Sequence, residues 1–412
     1  MPTRAAFRSF LSLAETTNRL STRWPSVVMG VVFASAAHAQ WTVINLHPRG
    51  ATESRAFGLD GLQQVGTVAL GGVSHAALWT GSAETWVDLH PPSATSSDAW
   101  DVSEGRQVGR ARVGGHDKPS IWSGTNASWV NLTPLGSPSG AANAIHQGVV
   151  FGFVAIDGWN HAGAWTREAS SFGDIHPAPP VILSQGDDLD GETYVGVTFA
   201  PADGQNHAAL WTGGAASWVD LHPRGALWSW ARATDSGQQV GWTHLDGQAR
   251  ASLWTGTAES WIDLSPFWAE ESWANDVKGG RQAGSVRFEG TYLACLWSGT
   301  AESWEALPLD LPGNWGDAWA NAISMDATTI SVAGWAHNLD TDRLEAIFWT
   351  RPIQPFLIGD VNDDCTVDAV DLSILLGNWG PWNPTSPDTD FTNDGVTDAA
   401  DLSVMLGAWG GC

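Results

Sequence analysis

Basic side chains are scarce in this chain. Only 19 of its 412 residues are Lys or Arg, against 44 Asp and Glu, and the formal charge is −25. Without a basic footprint, nucleic acid and anionic lipid surfaces are excluded as expected partners. Tyrosine is scarcer still, with two residues beside 27 Trp. Long apolar runs are also missing. The one candidate, Val27 to Ala37, is too short to span a bilayer comfortably, so no membrane span is expected in the mature form. Catalytic signatures are absent too: there is no nucleophile elbow, phosphate-cradling loop or zinc spacing.

The apolar run does suit export. Arg4, Arg8, Arg19 and Arg23 precede it, and Ala37-His38-Ala39 supplies the small-x-small cleavage pattern. Residues 1–39 therefore read as a secretory signal peptide, giving a secreted or cell-surface protein that starts at Gln40. The length leaves room for one large domain and a small one.

The large part is built on a repeated phrase. Leu78-Trp79-Thr80-Gly81-Ser82-Ala83-Glu84-Thr85-Trp86-Val87-Asp88-Leu89-His90-Pro91 returns almost unchanged from Leu210 to Pro223 and from Leu253 to Pro266. The first Trp of each copy is Trp79, Trp122, Trp165, Trp211, Trp254, Trp297 or Trp349, at intervals of 43, 43, 46, 43, 43 and 52 residues. The aligned Trp residues, with Trp41, account for 13 of the 27, so most of the aromatic excess is scaffold. A second phrase, Ala56…Gln64-Val65-Gly66, recurs at Ala99…Gly109, Ala231…Gly241 and Ala274…Gly284. From its Gly to the next Trp is 13 residues in five units and 15 in two, which is how a loop between strands of fixed length behaves.

Each unit divides into four short runs, in the first unit Ala56–Leu59, Gln64–Leu70, His75–Thr80 and Thr85–Leu89. Their period is two, and no stretch sustains a helical period. Four strands in about 43 residues make a propeller blade. The last unit ends at Phe348-Trp349-Thr350 without its second half, and the mature chain opens with that half, Trp41 to Pro48. The ends therefore complement one another. This predicts an all-β, seven-bladed β-propeller of four-stranded blades over residues 40–351, its last blade completed by 41–48.

His75-Ala76-Ala77-Leu78-Trp79 and His207-Ala208-Ala209-Leu210-Trp211, with Gln64-Val65-Gly66 and Gln239-Val240-Gly241, resemble the bacterial extracellular HAF repeat. The resemblance implies an exported, propeller-like protein and no defined reaction. The His position is Lys118, Arg250, Leu293 and Glu345 in other units, so it is no obligatory ligand. His47, His90, His176 and His222 precede Pro in different blades, too far apart to share one ion, and are expected to bond neighbouring backbone. Asp88, Asp220 and Asp263 repeat in phase and read as structural. A glycosidase needs two acids flanking one bond, and repetition offers no way to choose them. Thr234-Asp235-Ser236-Gly237 is only a fragment of a sialidase Asp-box. The better candidates are Trp residues outside the phrase. Trp230, Trp273 and Trp319 precede the aligned Ala, and Trp100 follows it. If the first strand lines the axis, these rings gather at one mouth, where they could stack on sugars or pack between blades.

After Pro352-Ile353-Gln354-Pro355, within a linker at 352–359, two matching segments stand thirty residues apart. Oxygen donors fall at loop positions 1, 3, 5, 7, 9 and 12 of an EF-hand-like site. In the first loop they are Asp360, Asn362, Asp364, Thr366 (by its carbonyl), Asp368 and Asp371. In the second they are Asp390, Thr392, Asp394, Val396 (by its carbonyl), Asp398 and Asp401. A helix is expected after each loop, from Leu372, Leu375 and Leu376 and from Leu402, Met405 and Leu406. Residues 360–412, with ten Asp and no basic residue, resemble a type I dockerin. The resemblance implies two Ca²⁺ sites in a small α-helical EF-hand-like domain, and attachment to a cohesin-like protein or cell-surface component. Thr392 and Cys365 depart from its loop pattern. So do Ala369-Val370 and Ala399-Ala400, at the positions that select the partner in dockerins. Cys365 and Cys412 are placed to form a disulfide that export permits, whereas Cys295 reads as a small buried hydrophobe.

These readings point to an exported, non-catalytic binding or scaffold protein. Its propeller would recognise polysaccharide, and its tail would attach it through calcium. The alternative is a carbohydrate-active enzyme, a glycoside hydrolase or lyase on a propeller, delivered by the dockerin-like module for polysaccharide degradation. Any activity is expected in the residues that the copies do not share.

Overall fold

The computed structural model describes residues 41–166, 168–200, 203–353, 359–361, 366–381, 389–392 and 394–411. The proposed signal peptide, most of the linker, Asn362, Asp364 and both cysteines of the expected disulfide lie outside the described residues. Seven four-stranded antiparallel sheets succeed one another along the chain. Blade 1 contains Glu53–Asp60, Gln63–Leu70, Val73–Thr80 and Val87–Asp88. Blades 2 to 6 begin at Ser96, Gly140, Leu183, Trp228 and Glu271, and blade 7 at Trp315.

The fourth run is shorter than its alternation suggests. Thr85–Leu89 contributes only a two-residue strand, because Ala83–Thr85 forms a 3-10 turn. The Thr85 hydroxyl accepts the Thr80 N–H at 2.8 Å and donates to the Ser82 carbonyl at 2.7 Å. Ser128, Ser171, Ser217, Ser260 and Ser303 do the same in the next five blades. The Gly-x-x-x-Ser/Thr part of the phrase is thus a hydroxyl-clamped turn. The Gln of the second phrase has a similar use. Gln64, Gln107, Gln239 and Gln282 are buried and accept the N–H of Gly81, Gly124, Gly256 and Gly299 at 2.7–2.9 Å.

The aligned Trp residues form the core. Trp79, Trp122, Trp165, Trp211, Trp254, Trp297 and Trp349 are all 0 % exposed, and each ring carries about 150–250 Å² of surface into the core. Trp79 packs against Leu46, Ala333 and Phe348 of blade 7, and Trp122 against Val65, Leu78 and Leu89 of blade 1. Each blade is therefore glued to the one before it. Cys295 lies buried in the core between blades 5 and 6, where burial pushes its thiol well up.

The ring closes as the complementary ends require. Thr42–Asn45 pairs antiparallel with the third strand of blade 7, Thr42 opposite Thr350 and Asn45 opposite Ile347. Trp41 donates its indole N–H to Glu305 of blade 6 at 3.0 Å, and Arg351 grips the same carboxylate at 2.6 and 3.0 Å. The Arg351 guanidinium also sits 4.5 Å from the Trp41 ring centre.

The tail folds as α1 (Ala369–Gly377) and α2 (Ala399–Gly407), each opened by an aspartate capping box, at Asp368 and at Asp398. Two short ladders join its halves, Thr366–Val367 with Gly410–Gly411 and Gly380–Pro381 with Val396–Thr397. Val367, Leu375 and Met405 form its small core. Leu376 and Leu406, expected on the apolar faces of the two helices, are instead exposed. Among the described residues no helix is long and apolar enough to cross a membrane.

Candidate functional site

The first strands of consecutive blades touch one another all the way around, blade 7 to blade 1 included, and so form the innermost ring. All seven carry the same defect. The register slips by one residue after Ala56, Ala99, Ala142, Gly186, Ala231, Ala274 and Ala320. Such a bulge re-aims a side chain that strict alternation would send elsewhere. The bulged residues are Phe57, Trp100, Asn143, Asp187, Arg232, Asn275 and Asn321, and all seven line one cavity of about 470 Å³. So do the residues next along each strand, Gly58, Asp101, Ala144, Asp188, Ala233, Asp276 and Ala322.

In that second set, Asp alternates with Gly or Ala. The Asp101 carboxylate accepts the N–H of Val102 and, across the seam, of Ile145, both at 2.7 Å. Asp276 does the same with Val277 and Ile323 at 2.7 Å, and Asp188 takes the N–H of Thr234 at 2.8 Å. These carboxylates staple blades 2, 4 and 6 to their successors. Asn143, Asn275 and Asn321 act in the reverse sense, donating to the carbonyls of Gly186, Ala320 and Ala56 at 2.6, 2.9 and 2.8 Å. Loss of hydration pushes Asp101 and Asp276 up to about 7, against the pull of their backbone donors. Asp188 is raised well above the usual carboxylate range, with repulsion from Asp276 and Asp101 adding to burial. Asp187 reaches about 6, raised by burial and held back by Arg232 and Trp230.

Two residues before the bulged one, the blades differ by half-circles. Blades 5, 6 and 7 place Trp230, Trp273 and Trp319 there, paired across the strand with Trp242, Ser285 and Trp335. Blades 1, 2 and 4 place Arg55, Asp98 and Gln185. Gln185 lines the cavity, as do Arg110 and Phe153, the cross-strand partners of Asp98 and Ala141. Trp273 meets Trp319 at 5.2 Å, both meet Tyr292, and Trp319 stacks on Trp335 at 5.9 Å. Trp230 stacks on Trp242 at 6.5 Å and donates its indole N–H to Asp187 at 2.7 Å. Trp100 stands apart from this arc, in the cavity wall under the Arg110 guanidinium at 5.0 Å. Trp273 and Trp319 thus form one partly buried aromatic arc with Tyr292 and Trp335, Trp230 forms a separate pair with Trp242 on the neighbouring blade, and Trp100 lies in the cavity wall. Asp187, Arg110, Arg232 and Gln185 do not stand out in the sequence. Their signal lies in the side chains around the aligned Ala that change from copy to copy.

The repeated His and Asp take structural places. His75, His161 and His207 bond Asp88, Asp174 and Asp220 at 2.9, 2.9 and 2.7 Å, joining the third strand to the fourth. Arg250 makes the same strut to Asp263. Where the position is Glu345, its partner on the closing strand is Asn45 instead of an acid.

In the second tail loop Asp390 accepts the N–H groups of Asp394 and Gly395 at 3.1 and 2.7 Å. Asp401 is 0 % exposed and accepts from Thr392 and Asp398 at 2.9 and 2.8 Å. Burial raises its carboxyl, but these donors outweigh it and the net shift is downward. The donors are all hard oxygens, a chemistry that fits Ca²⁺. Among the described residues no group of three or more His, Cys, Asp or Glu is drawn together as a metal site.

No protein-family model matches the chain, and no curated protein matches it. Among solved structures it is similar to a puromycin hydrolase, at 12 % identity and TM-score 0.52, over 73 % of this chain and 54 % of that one. A second puromycin hydrolase structure matches at 13 % identity and TM-score 0.51, over 75 % and 55 %. The chain spans about half the length of these enzymes, and the likeness is one of fold: the β-propeller.

Proposed function

We propose that this is an exported, non-catalytic binding protein whose propeller recognises polysaccharide at one axial mouth. The observation that carries the reading is the aromatic arc of Trp273 and Trp319 with Tyr292 and Trp335, flanked on blade 5 by the Trp230–Trp242 pair. It occurs at positions where other blades carry Arg, Asp, Ala or Gln, so the blade fold itself does not require it. Contiguous indole faces beside a polar cavity suit the apolar faces and hydroxyls of sugars. The tail, in this reading, attaches the propeller to a cohesin-like protein or cell-surface component. Asp360, Asn362, Asp364, Thr366, Asp368 and Asp371 would hold one Ca²⁺, and Asp390, Thr392, Asp394, Val396, Asp398 and Asp401 the other. The bound ion would cross-link each loop to its helix.

A second reading, a carbohydrate-active enzyme, draws on the perturbed carboxylates around the cavity. Against it, Asp101 and Asp276 have both oxygens on backbone donors, and Asp187 is engaged by Trp230 and Arg232. A glycan array with the full chain, with and without residues 352–412, tests the proposal. Replacing Trp230, Trp273 and Trp319 by Ala is expected to abolish retention on the bound polysaccharide. Unchanged retention would overturn the arc as the site, and steady release of reducing ends would establish the enzyme instead.

A further inference from the structure

The axial cavity keeps hydrogen-bonding capacity to spare. Its carboxylate acceptors are engaged: Asp101 and Asp276 by backbone N–H groups, and Asp187 by the Trp230 indole at 2.7 Å and Arg232 at 3.0 Å. Asn143 Oδ1, in the same wall, is buried and has no donor among the described residues. The cavity's guanidinium donors are only partly used. Among the described residues Arg232 uses only Nη1, on Asp187, which leaves Nε and Nη2, and its side chain is 43 % exposed. Arg110 places Nε on Asp98 at 2.8 Å and Nη1 on Asp117 at 3.3 Å, which leaves Nη2 among the same residues. Gln185 lines the cavity between them on blade 4 and makes no side-chain hydrogen bond among the described residues. Arg110 on blade 2 and Arg232 on blade 5 stand three blades apart in a ring of seven, so they approach from facing sides.

Spare guanidinium donors select a ligand acceptor, and the bare Asn143 oxygen selects a hydroxyl donor beside it. Two guanidinium groups select a carboxylate in particular, since their planar forks match its geometry. Phe57, Trp100 and Phe153 supply apolar faces in the same wall. The volume of about 470 Å³ lies within the roughly 300–1,000 Å³ usual for small-molecule sites. We propose that the axial cavity binds the carboxylate of a uronate unit, with Arg110 and Arg232 on the acid and Gln185 on neighbouring hydroxyls. This inference rests on the polysaccharide reading and narrows it to acidic chains.

Charge repulsion sets the pH dependence. The titratable groups facing or flanking the cavity are Asp101, Asp187, Asp188 and Asp276, with Asp98 and Asp117 beside Arg110. Burial brings Asp101 and Asp276 to about 7, so acidification neutralises the wall. A free uronate stays ionised above about pH 5. Binding is therefore expected to tighten as pH falls from about 8 to about 5.5.

The test is calorimetric titration of the full chain with trigalacturonate and with its methyl ester, at both pH values. The acid is expected to bind at least roughly tenfold more tightly than the ester, the scale of one charge-assisted contact. Arg232→Gln and Gln185→Glu should each remove that preference. Gln185→Glu breaks no existing bond, so it remains informative if Arg232→Gln fails to fold. Equal affinity for acid and ester would overturn the uronate inference while leaving polysaccharide recognition standing. Failure of both to bind while neutral polymers are retained by the Trp arc would do the same. Failure of every glycan would sink the polysaccharide reading itself.

Discussion

His47, His90, His176 and His222 each place Nε2 on a backbone carbonyl, at 3.2, 3.1, 3.3 and 3.0 Å. A carbonyl only accepts, so Nε2 carries the proton. Nδ1 faces the hydroxyl of Ser54, Ser97, Ser184 or Ser229 at 2.8–2.9 Å. Each of those oxygens accepts a backbone N–H from the third strand of the preceding blade, at 2.9 Å, which frees its own proton for Nδ1. This relay needs neutral imidazole, and burial lowers all four from 6.5. Below that value the unfolded chain binds more protons, so stability from these residues is complete above about pH 6.5 and declines as pH falls. The axial carboxylates run the other way. Asp101 and Asp276 rise from 3.8 to about 7 in the fold, so the native state binds more protons between those values. Their contribution is present below about pH 4 and is lost as pH rises through about 7. Asp276→Asn keeps one acceptor and sets an amide NH₂ against the N–H of Ile323 or Val277. It is expected to cost about 1–3 kcal/mol, and the loss relative to wild type should be greater at pH 5 than at pH 8. Urea unfolding at the two values measures it, and an equal loss at both would refute the assignment.

At the scale of the strand, the repeated Gln-Val-Gly separates the features that are legible in one dimension from those that are not. Its recurrence sets the blade length and the place of insertions. The reason for its Gly emerges only in three dimensions. A Cβ on Gly66, Gly109, Gly152, Gly196, Gly241, Gly284 or Gly334 would sit 1.9–2.1 Å from a carbonyl oxygen of the inner strand. Those carbonyls belong to residues just ahead of the bulge, where the inner strand presses on its neighbour. Gly241→Ala is accordingly expected to destabilise blade 5 by about 1–3 kcal/mol or to shift its inner strand. A loss of stability below about half a kilocalorie, the range of harmless surface changes, would contradict the close approach. The bulge itself is hidden for a related reason. Alternation assigns neighbouring residues to opposite faces, so Asp187 and Asp188 read as one inward and one outward side chain. A one-residue slip turns both toward the cavity. Trp100 stands out because indole is conspicuous anywhere. Arg232 and Asp187 do not, because a lone charge in a strand looks like solvent-facing surface until seven copies converge on one axis.

At the scale of the molecule, the chain divides into a ring that is closed by its ends and a tail whose chemistry is unlike the ring's. Closure is readable because it depends on sequence complementarity, with Trp41 to Pro48 supplying the half-unit that the last copy lacks after Thr350. The lock of Arg351, Glu305 and Trp41 is not, since Glu305 lies in the preceding blade and departs from the Val or Ile of most other units. The tail's duplicated spacing is equally plain, whereas the behaviour of its carboxylates is not. Residues 360–412 hold ten Asp and no Lys or Arg, so no Lys or Arg within the tail can offset its charge. Asp401 is nevertheless buried and held in its ionised form by backbone donors. Asp390 accepts the backbone N–H groups of Asp394 and Gly395. Carboxylates pinned this way repel one another unless a cation joins them, and a cation bound only by the folded loops stabilises them by mass action, about 2.7 kcal/mol at a hundredfold excess over Kd. Scanning calorimetry of the full chain should therefore show a tail transition that moves to higher temperature with Ca²⁺, while the propeller transition stays in place. Titration should give two sites in the wild type and one in Asp401→Ala. An absence of binding heat together with an unmoved transition would rule out calcium as the tail's ligand, and would leave the duplicated acidic loops to be explained by their hydrogen bonds alone.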